Sequence, residues 1–315
     1  MIKRAALLVA VVTVLAYGLV NAQVHRWRQL ADGAMALYEQ GQYDRAAVMG
    51  EKALRAAAQA VGPDHPYTAR SLNELGLILA KQGHLERARL LSHRALAIYK
   101  RVYGQVHPSV AVTLSNLGCM ASGQGQYEQA LRQHERALAI IRSVPDPDQD
   151  ILSMILSDLG KDYLINGREA EAESLIRRSL AIDERIHAPD HPAISDNLIF
   201  LGTTYCTRGR YAEAESLFQR ALAIDEKRLG RRHPTVATDL QFIAALRHAE
   251  GRLAEAEPLY ERALAIKEAA LGRDHPEVAT ILAALARLYS ASDRADLAME
   301  LEERAEAIRA GNSES

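Results

Sequence analysis

The sequence predicts an all-α fold, a right-handed superhelical solenoid of about seven helix-turn-helix units. The first observation is the dipeptide His-Pro, which begins at His65, His107, His191, His233 and His275, so that neighbouring copies lie 42 or 84 residues apart. The second is a column of alanines with the same period: Ala46, Ala88, Ala130, Ala172, Ala214, Ala256 and Ala298. A fixed period of about 20–50 residues is typical of solenoids, in which each unit packs only on its neighbours.

The composition agrees with packed helices and argues against nucleic-acid binding. Of 315 residues, 48% are hydrophobic and 25% are charged, whereas only 5% are aromatic. This balance indicates a folded chain of Ala- and Leu-rich helices. The formal net charge of -2 offers no strongly basic surface to nucleic acid. Cys119 and Cys206 form no CxxC pair and lie about two repeats apart, so both are predicted to be free thiols.

Residues 1–22 have the pattern of an export segment that is separate from the repeats. Lys3 and Arg4 precede an apolar run over residues 5–20, and Ala22 ends the segment with a small side chain. A basic start, an apolar core and such an end describe a secretory signal peptide. Cleavage after Ala22 would give a protein that is periplasmic or secreted.

The same segment is also compatible with an uncleaved membrane anchor. The apolar run is slightly long for a signal peptide and short for a membrane span of about 20 residues. Trp27, which stands between Arg26 and Arg28, is of a residue type that is enriched at membrane interfaces. The protein is therefore expected either to be exported or to be attached to a membrane through residues 5–20.

Each 42-residue unit is predicted to contain a helix A, a tight turn and a helix B. Helix A begins at the proline of His-Pro, because a proline in the first turn has a preset φ and needs no amide donor there. The turn glycine, for example Gly83, ends helix A because it can take a positive φ. The solenoid is predicted over 23–310, before a disordered tail at 311–315, with repeats at about 24–61, 66–103, 108–145, 150–187, 192–229, 234–271 and 276–309. The segment 144–151, between the third and fourth repeats, lacks His-Pro and is expected to be the least regular connection.

Small residues that recur in both helices are predicted to be the points where the helices approach most closely. A larger side chain at such a point would hold the two helices apart. The structural repeat positions are Gly76, Ala88, Gly118, Ala130, Gly160, Ala172, Gly202, Ala214, Ala256 and Ala298.

Two motifs of the fifth unit resemble the tetratricopeptide repeat. Residues 201–205, Leu-Gly-Thr-Thr-Tyr, match the pattern of its helix A, and residues 214–218, Ala-Glu-Ser-Leu-Phe, match that of its helix B. The longer period and the His-Pro between units resemble the kinesin-light-chain type, most fully over residues 255–276. No heptad coiled coil precedes the repeats, so the motor-cargo function of kinesin light chain is not carried over. The resemblance implies a protein-interaction scaffold in which helices A line a concave groove.

No pattern in the sequence indicates catalysis, a metal ion or a cofactor. Five histidines at steps of one repeat or more are too far apart to share a zinc ion, so the His or its preceding Asp is predicted to cap helix A. His187 and His191 are four residues apart, but Pro189 between them prevents a shared helix face. Residues 123–125, Gly-Gln-Gly, follow no strand and are interpreted as a turn.

Candidate binding residues are polar side chains on, or close to, one face of helix A. The residues six and three positions before the glycine of helix A, and those one and four positions after it, share that face. The candidates are Arg70, Asn73, Asn116, Lys161, Asp196, Thr203, Thr238, Gln241, His248 and Arg287. They lack the clustered Lys and Asn of the carboxylate-clamp subfamily, which favours an extended or helical peptide that is recognised by hydrogen bonds.

The predicted function is that of a non-enzymatic protein–protein interaction scaffold that binds a peptide or protein partner in the concave groove. One alternative is an exported or membrane-anchored sensor or regulatory arm of a larger assembly. Another is an enzyme with an unrecognised site. RNA binding by helical repeats is disfavoured by the charge and by the export segment.

Overall fold

The computed structural model describes the backbone of residues 2–313, and the side chains of residue 18 and of residues 20–311. The described backbone contains fourteen helices and no strand, which confirms the all-α prediction. The chain divides into two compact units, Met1–Pro145 and Asp146–Ser315. The division falls within the segment of the sequence that lacks His-Pro.

The first unit contains three helix pairs. Its helices are α1 Ile2–Glu39, α2 Tyr43–Val61, α3 Pro66–Lys81, α4 Leu85–Tyr103, α5 Pro108–Gly123 and α6 Tyr127–Ser143. The odd-numbered helices are helices A of the repeat and the even-numbered ones are helices B.

The second unit contains four further pairs in the same alternation. Its helices are α7 Gln149–Ile165, α8 Glu169–Ile186, α9 Pro192–Thr207, α10 Tyr211–Leu229, α11 Pro234–Ala249, α12 Leu253–Leu271, α13 Pro276–Ala291 and α14 Ala295–Ser313. Helix α14 includes the first three residues of the tail that was expected to be disordered from residue 311.

The histidine of each His-Pro caps a helix A. In His65 and His107 the ring Nδ1 accepts a hydrogen bond from the backbone amide two residues later at 3.1 Å. The same bond is 3.4 Å long at His191 and 3.2 Å long at His233 and His275. An accepting Nδ1 carries no proton, so these caps require the neutral ring. The capping prediction is confirmed, and the caps occupy a ring nitrogen that a metal ion would otherwise use.

An aspartate replaces the missing histidine at the start of α7. The Asp148 carboxylate accepts hydrogen bonds from the amides of Asp150 at 2.9 Å and Ile151 at 3.4 Å. Aspartate is among the preferred N-cap residues because its oxygen satisfies amides that have no partner within the helix. The helix start therefore falls one residue before its place in the 42-residue period although the motif is absent.

Helices A and B of a pair meet at the small-residue columns, as predicted. A Cβ added to Gly202 would lie 2.5 Å from the Phe218 ring, and one added to Gly160 would lie 2.6 Å from Cγ1 of Ile176. Both large side chains stand four residues, or one helical turn, after a fully buried alanine of helix B, Ala214 or Ala172. The glycine provides the space that the large side chain of the partner helix fills.

The turn between helices A and B requires a left-handed backbone. Gly209 takes a φ of 70° there, and Asp293, which stands at the same place in the last unit, takes 56°. Aspartate tolerates this region better than most residues because its short side chain bonds locally. The same turn therefore forms in the seventh repeat, where aspartate replaces glycine.

Trp27 lies in the core of the first repeat, so the expectation that it marks a membrane interface is wrong. The side chain is 1% exposed, its ring stacks on Tyr67 with centroids 4.3 Å apart, and its Nε1 donates to Ser71 Oγ at 2.7 Å. Burial against helix α3 satisfies both the apolar ring and its polar nitrogen.

The signal-peptide and anchor predictions fall mainly outside the described side chains. The backbone of α1 is helical from Ile2 onwards, but the side chains of the apolar run are described only at residues 18 and 20. Among the described residues, no helix has the length and apolarity that a membrane span requires.

Candidate functional site

The helices A of each unit form its inner row. In the second unit α7 contacts α9, α9 contacts α11 and α11 contacts α13, whereas the described parts of successive helices B make no comparable contact with one another. Helices that touch their counterparts in the next repeat lie on the inside of the curved stack. We call the solvent-accessible side of α7, α9, α11 and α13 the helix-A face.

All ten candidate residues reach the surface, but they divide between the two units. Arg70, Asn73 and Asn116 belong to the first unit, and the other seven belong to the second. The exposed candidates are Arg70, Lys161, Asp196 and Arg287; the half-buried ones are Asn73, Asn116, Thr203, Thr238, Gln241 and His248. The second unit therefore holds most of the candidate residues.

Arg70 is held by its own unit. Its guanidinium donates to Glu74 at 2.6 Å and to Asp32 at 3.2 Å, and it lies 5.7 Å from the centroid of the Trp27 ring. Burial raises the pKa of the Glu74 carboxyl, although the hydrogen bond from Arg70 opposes that shift. Arg70 is therefore part of the packing of α1 on α3, and two of its donors are used within the first unit.

The two candidate threonines bond to their own helices. Thr203 Oγ1 donates to the carbonyl of Ile199 at 2.9 Å, and Thr238 Oγ1 donates to the carbonyl of Pro234 at 3.4 Å. Such bonds to the preceding turn are common for threonine in helices. The hydroxyl protons are used internally, which leaves only the lone pairs of these oxygens for a ligand.

Four candidates of the second unit have polar groups that are available for binding. Within the described residues, the side chains of Lys161, Gln241, His248 and Arg287 make no hydrogen bond or ion pair. Gln241 and His248 stand on α11 and Arg287 on α13, so they belong to adjacent repeats. An amide, an imidazole and a guanidinium together offer both donors and acceptors.

Two phenylalanines on the helix-A face were missed by the sequence analysis. Phe200 of α9 and Phe242 of α11 are half-buried and pack on the core of the second unit. Lys161 Nζ lies 5.6 Å from the centroid of the Phe200 ring, and the Phe242 ring stacks on Phe218 with centroids 5.7 Å apart. Both phenylalanines stand two residues before the small position of helix A. Extending the face count to that position would have found them.

A buried polar network lies beneath this face, between helices A and B. The Asn197 amide donates to Ser179 Oγ at 2.9 Å and to Asp183 Oδ2 at 2.7 Å, and the hydroxyls of Ser153 and Ser179 lie 2.7 Å apart. All four side chains are buried. Burial raises the pKa of Asp183, against the effect of its hydrogen bonds.

The network continues in the next repeat as a pair of buried carboxyls. Asp225 accepts a hydrogen bond from the Ser195 hydroxyl, and Asp225 and Asp239 are hydrogen-bonded to each other. Burial and then the charge of Asp225 raise the pKa of Asp239 to about 9. The two carboxyls therefore share a proton at neutral pH, with Asp239 as the donor. The preceding repeat holds Asp183 and Asn197 at the same two positions, and a carboxyl at the first position occurs in only these two repeats.

Neither Cys119 nor Cys206 forms a disulfide bond, as predicted. Cys119 is exposed, and its Sγ lies 3.7 Å from His134 Nε2. Burial raises the pKa of the Cys206 thiol to about 11, so that this thiol is protonated and unreactive at neutral pH.

The repeat geometry agrees with comparisons to known proteins. A family model described as tetratricopeptide repeat matches residues 34–100, 91–143, 151–227 and 234–310. The chain belongs to the tetratricopeptide repeat family. This family is generally non-enzymatic. A search of curated proteins gives no match.

Solved structures with a similar fold share little sequence with this tetratricopeptide repeat protein. BtubC (BKLC) from P. vanneervenii is 21% identical with a TM-score of 0.56, over 72% of this chain and 91% of that one. A Podosopora anserina putative kinesin light chain with nearly identical TPR-like repeats is 24% identical with a TM-score of 0.47, over 64% and 96%. The Rap conjugation gene regulator of the plasmid pLS20, in complex with the Phr* peptide, is 14% identical with a TM-score of 0.71, over 93% and 76%. At these identities the likeness concerns the fold alone.

Proposed function

We propose that this protein is a non-enzymatic scaffold that binds a peptide or a peptide-like segment of a protein on the helix-A face of residues 146–315. The observation that carries the proposal is the pairing of half-exposed phenylalanines with unengaged polar groups on adjacent helices A. Phe200 and Phe242 supply apolar contact area, and Gln241 and Arg287 supply hydrogen-bonding groups beside it.

The chemistry of this face suits an extended or helical segment with one apolar anchor. Aromatic side chains that remain partly exposed on a folded surface gain contact area when an apolar group of a partner covers them. The Gln241 amide can pair with both the N–H and the C=O of a peptide backbone. Lys161 and Arg287, both exposed cations, favour an acidic residue next to the anchor.

The comparisons support a binding function at the level of the fold. The Rap conjugation gene regulator was solved with a peptide bound and has the most similar fold of the three structures compared above. Because the sequence identity is low, the position of its peptide is not transferred to this chain.

The proposal is tested by selecting peptides from a random display library against the full chain and measuring their affinity by fluorescence anisotropy. The double variant Lys161→Glu with Gln241→Ala should bind a selected peptide roughly 10–100-fold more weakly, since it reverses one charge and removes one hydrogen-bonding group. Helix content should remain that of the native chain, because both side chains lie at the surface.

A matched double variant on helices B serves as the control. Arg178→Glu with Gln219→Ala makes equivalent changes at exposed positions of α8 and α10 and should leave the affinity unchanged. Equal affinity of the wild type and the helix-A variant would contradict the proposal, and so would equal weakening by both doubles.

A further inference from the structure

The first unit contains a cavity with a basic lining that plays no part in the helix-A face. The cavity has a volume of about 230 Å³ and lies between α1 and α2. Its polar lining consists of Gln23, Arg26, Lys52, Arg55 and Gln59, without a carboxylate. A single water molecule needs roughly 10–15 Å³, so the cavity has room for a phosphate group with its ester atoms.

Helical spacing directs these side chains to one place. On α1 the lining residues stand at Gln23, Arg26 and Leu30, and on α2 they include Lys52 and Arg55. Residues three, four or seven apart share a face of a helix, so the two helices present matching basic faces to the same space. The cavity is a consequence of how the first pair packs.

The cations of the cavity are not neutralised by the protein. Arg26 and Lys52 form no ion pair within the described residues. Arg55 lies 3.7 Å from Glu51, but both side chains are well exposed, and Glu51 also pairs with Arg87 at 2.8 Å. Three cations around a cavity without a carboxylate in its lining attract an anion. Glu51, which lies outside the lining, can balance only one of the three charges.

An exposed apolar side chain, Val20, precedes the basic cavity on α1. Val20 is 41% exposed and stands one turn before Gln23, on the same side of the helix. It is the last residue of the apolar run at 5–20, and α1 is one continuous helix through this point. At a rise of about 1.5 Å per residue, Arg26 follows Val20 by roughly 9 Å along the helix axis. A ligand that spans both regions carries a phosphate at one end and hydrocarbon at the other.

We propose that this cavity binds the phosphate of an anionic phospholipid, whose acyl chains extend along α1 towards Val20. Arg26, Lys52 and Arg55 pair with the phosphate, Gln23 and Gln59 donate hydrogen bonds to its oxygens or to the headgroup, and the lipid tail contacts Val20. The site is distinct from the helix-A face of the second unit, and either can fail without the other.

The test uses the full chain in detergent micelles with native mass spectrometry. Phosphatidylglycerol and phosphatidylcholine with the same acyl chains are added separately, and the retained lipid is counted. The wild type should retain phosphatidylglycerol in preference to phosphatidylcholine. The triple variant Arg26→Gln, Lys52→Gln, Arg55→Gln should lose that preference, with a weakening of roughly fivefold per cation and about 100-fold in total.

A charge-matched triple variant separates the cavity from general basicity. Lys81→Gln, Arg94→Gln and Arg142→Gln remove the same charges from exposed positions of the first unit outside the cavity, and phosphatidylglycerol retention should persist. If the cavity triple does not fold, as judged by circular dichroism, Arg26→Gln alone is used and should cost about fivefold. Equal retention of the two lipids by the wild type, or an unchanged preference in the cavity variant, would overturn the proposal.

A soluble competitor distinguishes a lipid from a free phosphate. Glycerol 3-phosphate at the same concentration as the lipid should not displace phosphatidylglycerol, because it has no hydrocarbon chain to place against Val20. Displacement by glycerol 3-phosphate at equal concentration would overturn the assignment to a lipid.

Discussion

Replacement of Asp239 by asparagine is expected to stabilise the second unit, and by an amount that grows with pH. Asp239 is 2% exposed and shares a proton with Asp225. Burial and the neighbouring charge raise the pKa of Asp239 from 3.8 to about 9. Asparagine has nearly the shape of the protonated carboxyl and can donate the same hydrogen bond to Asp225 without taking up a proton.

The magnitude follows from proton linkage. Above about pH 5 the unfolded chain has Asp239 ionised, whereas the folded chain keeps it protonated up to about pH 9. Folding therefore takes up a proton in this window, and stability falls as pH rises, by up to about 1.4 kcal/mol per pH unit. Between about pH 5.5 and pH 7.5 the stability of the variant relative to the wild type should rise by up to about 3 kcal/mol.

Urea unfolding followed by circular dichroism measures this difference at the two pH values. Titrating groups outside the Asp225–Asp239 pair contribute equally to both proteins, so they cancel when the variant is compared with the wild type. Asp296→Asn, an exposed aspartate in the first turn of α14, is the matched control and should show a difference that does not depend on pH. A free-energy difference for the Asp239 variant that is the same at both pH values would refute the shared-proton description.

Further predictions concern the packing, the caps and the N-terminus. Gly202→Ala should cost roughly 1–3 kcal/mol in thermal unfolding because its Cβ meets a ring at 2.5 Å, whereas Gly123→Ala, with open space around it, should be neutral or slightly stabilising. Ala214→Leu should cost a similar 1–3 kcal/mol, roughly, and an unchanged melting temperature would count against close packing there. Burial lowers the pKa of His275, so stability should fall as pH drops below about 6.5. His275→Asn should reduce this loss because asparagine can cap helix α13 both above and below that pH. The N-terminus of the mature protein can be sequenced. A first residue of Gln23 would establish cleavage, and retention of Met1 would exclude it.

The helices and their register could be predicted because their signals are local and recur. His-Pro marks the start of a helix through bonds within two residues, and the turn glycine acts through its own φ. The small-residue columns were also readable, since only glycine or alanine fits beside a side chain such as Phe218. Each signal recurs five to seven times, which separates it from chance.

The candidate site was predicted in outline but not in composition. Counting along helix A found Lys161, Gln241 and Arg287, all of which reach the surface. The same count could not tell that Arg70 is used by Glu74 and Asp32, because those contacts depend on how α1 packs on α3. It also passed over Phe200, whose type suggests a core residue and whose packing leaves it half-exposed.

The sequence by itself determined the class of the fold, the alternation of helices A and B, and the membership of one repeat family, because each rests on interactions within a turn or between adjacent helices. The tertiary structure decided which side chains are available. Trp27 is buried although it lies beside basic residues, and Asp239 keeps its proton because burial and the neighbouring charge of Asp225 raise its pKa. Availability and pKa depend on groups brought together from different helices, and the one-dimensional pattern does not encode those distances.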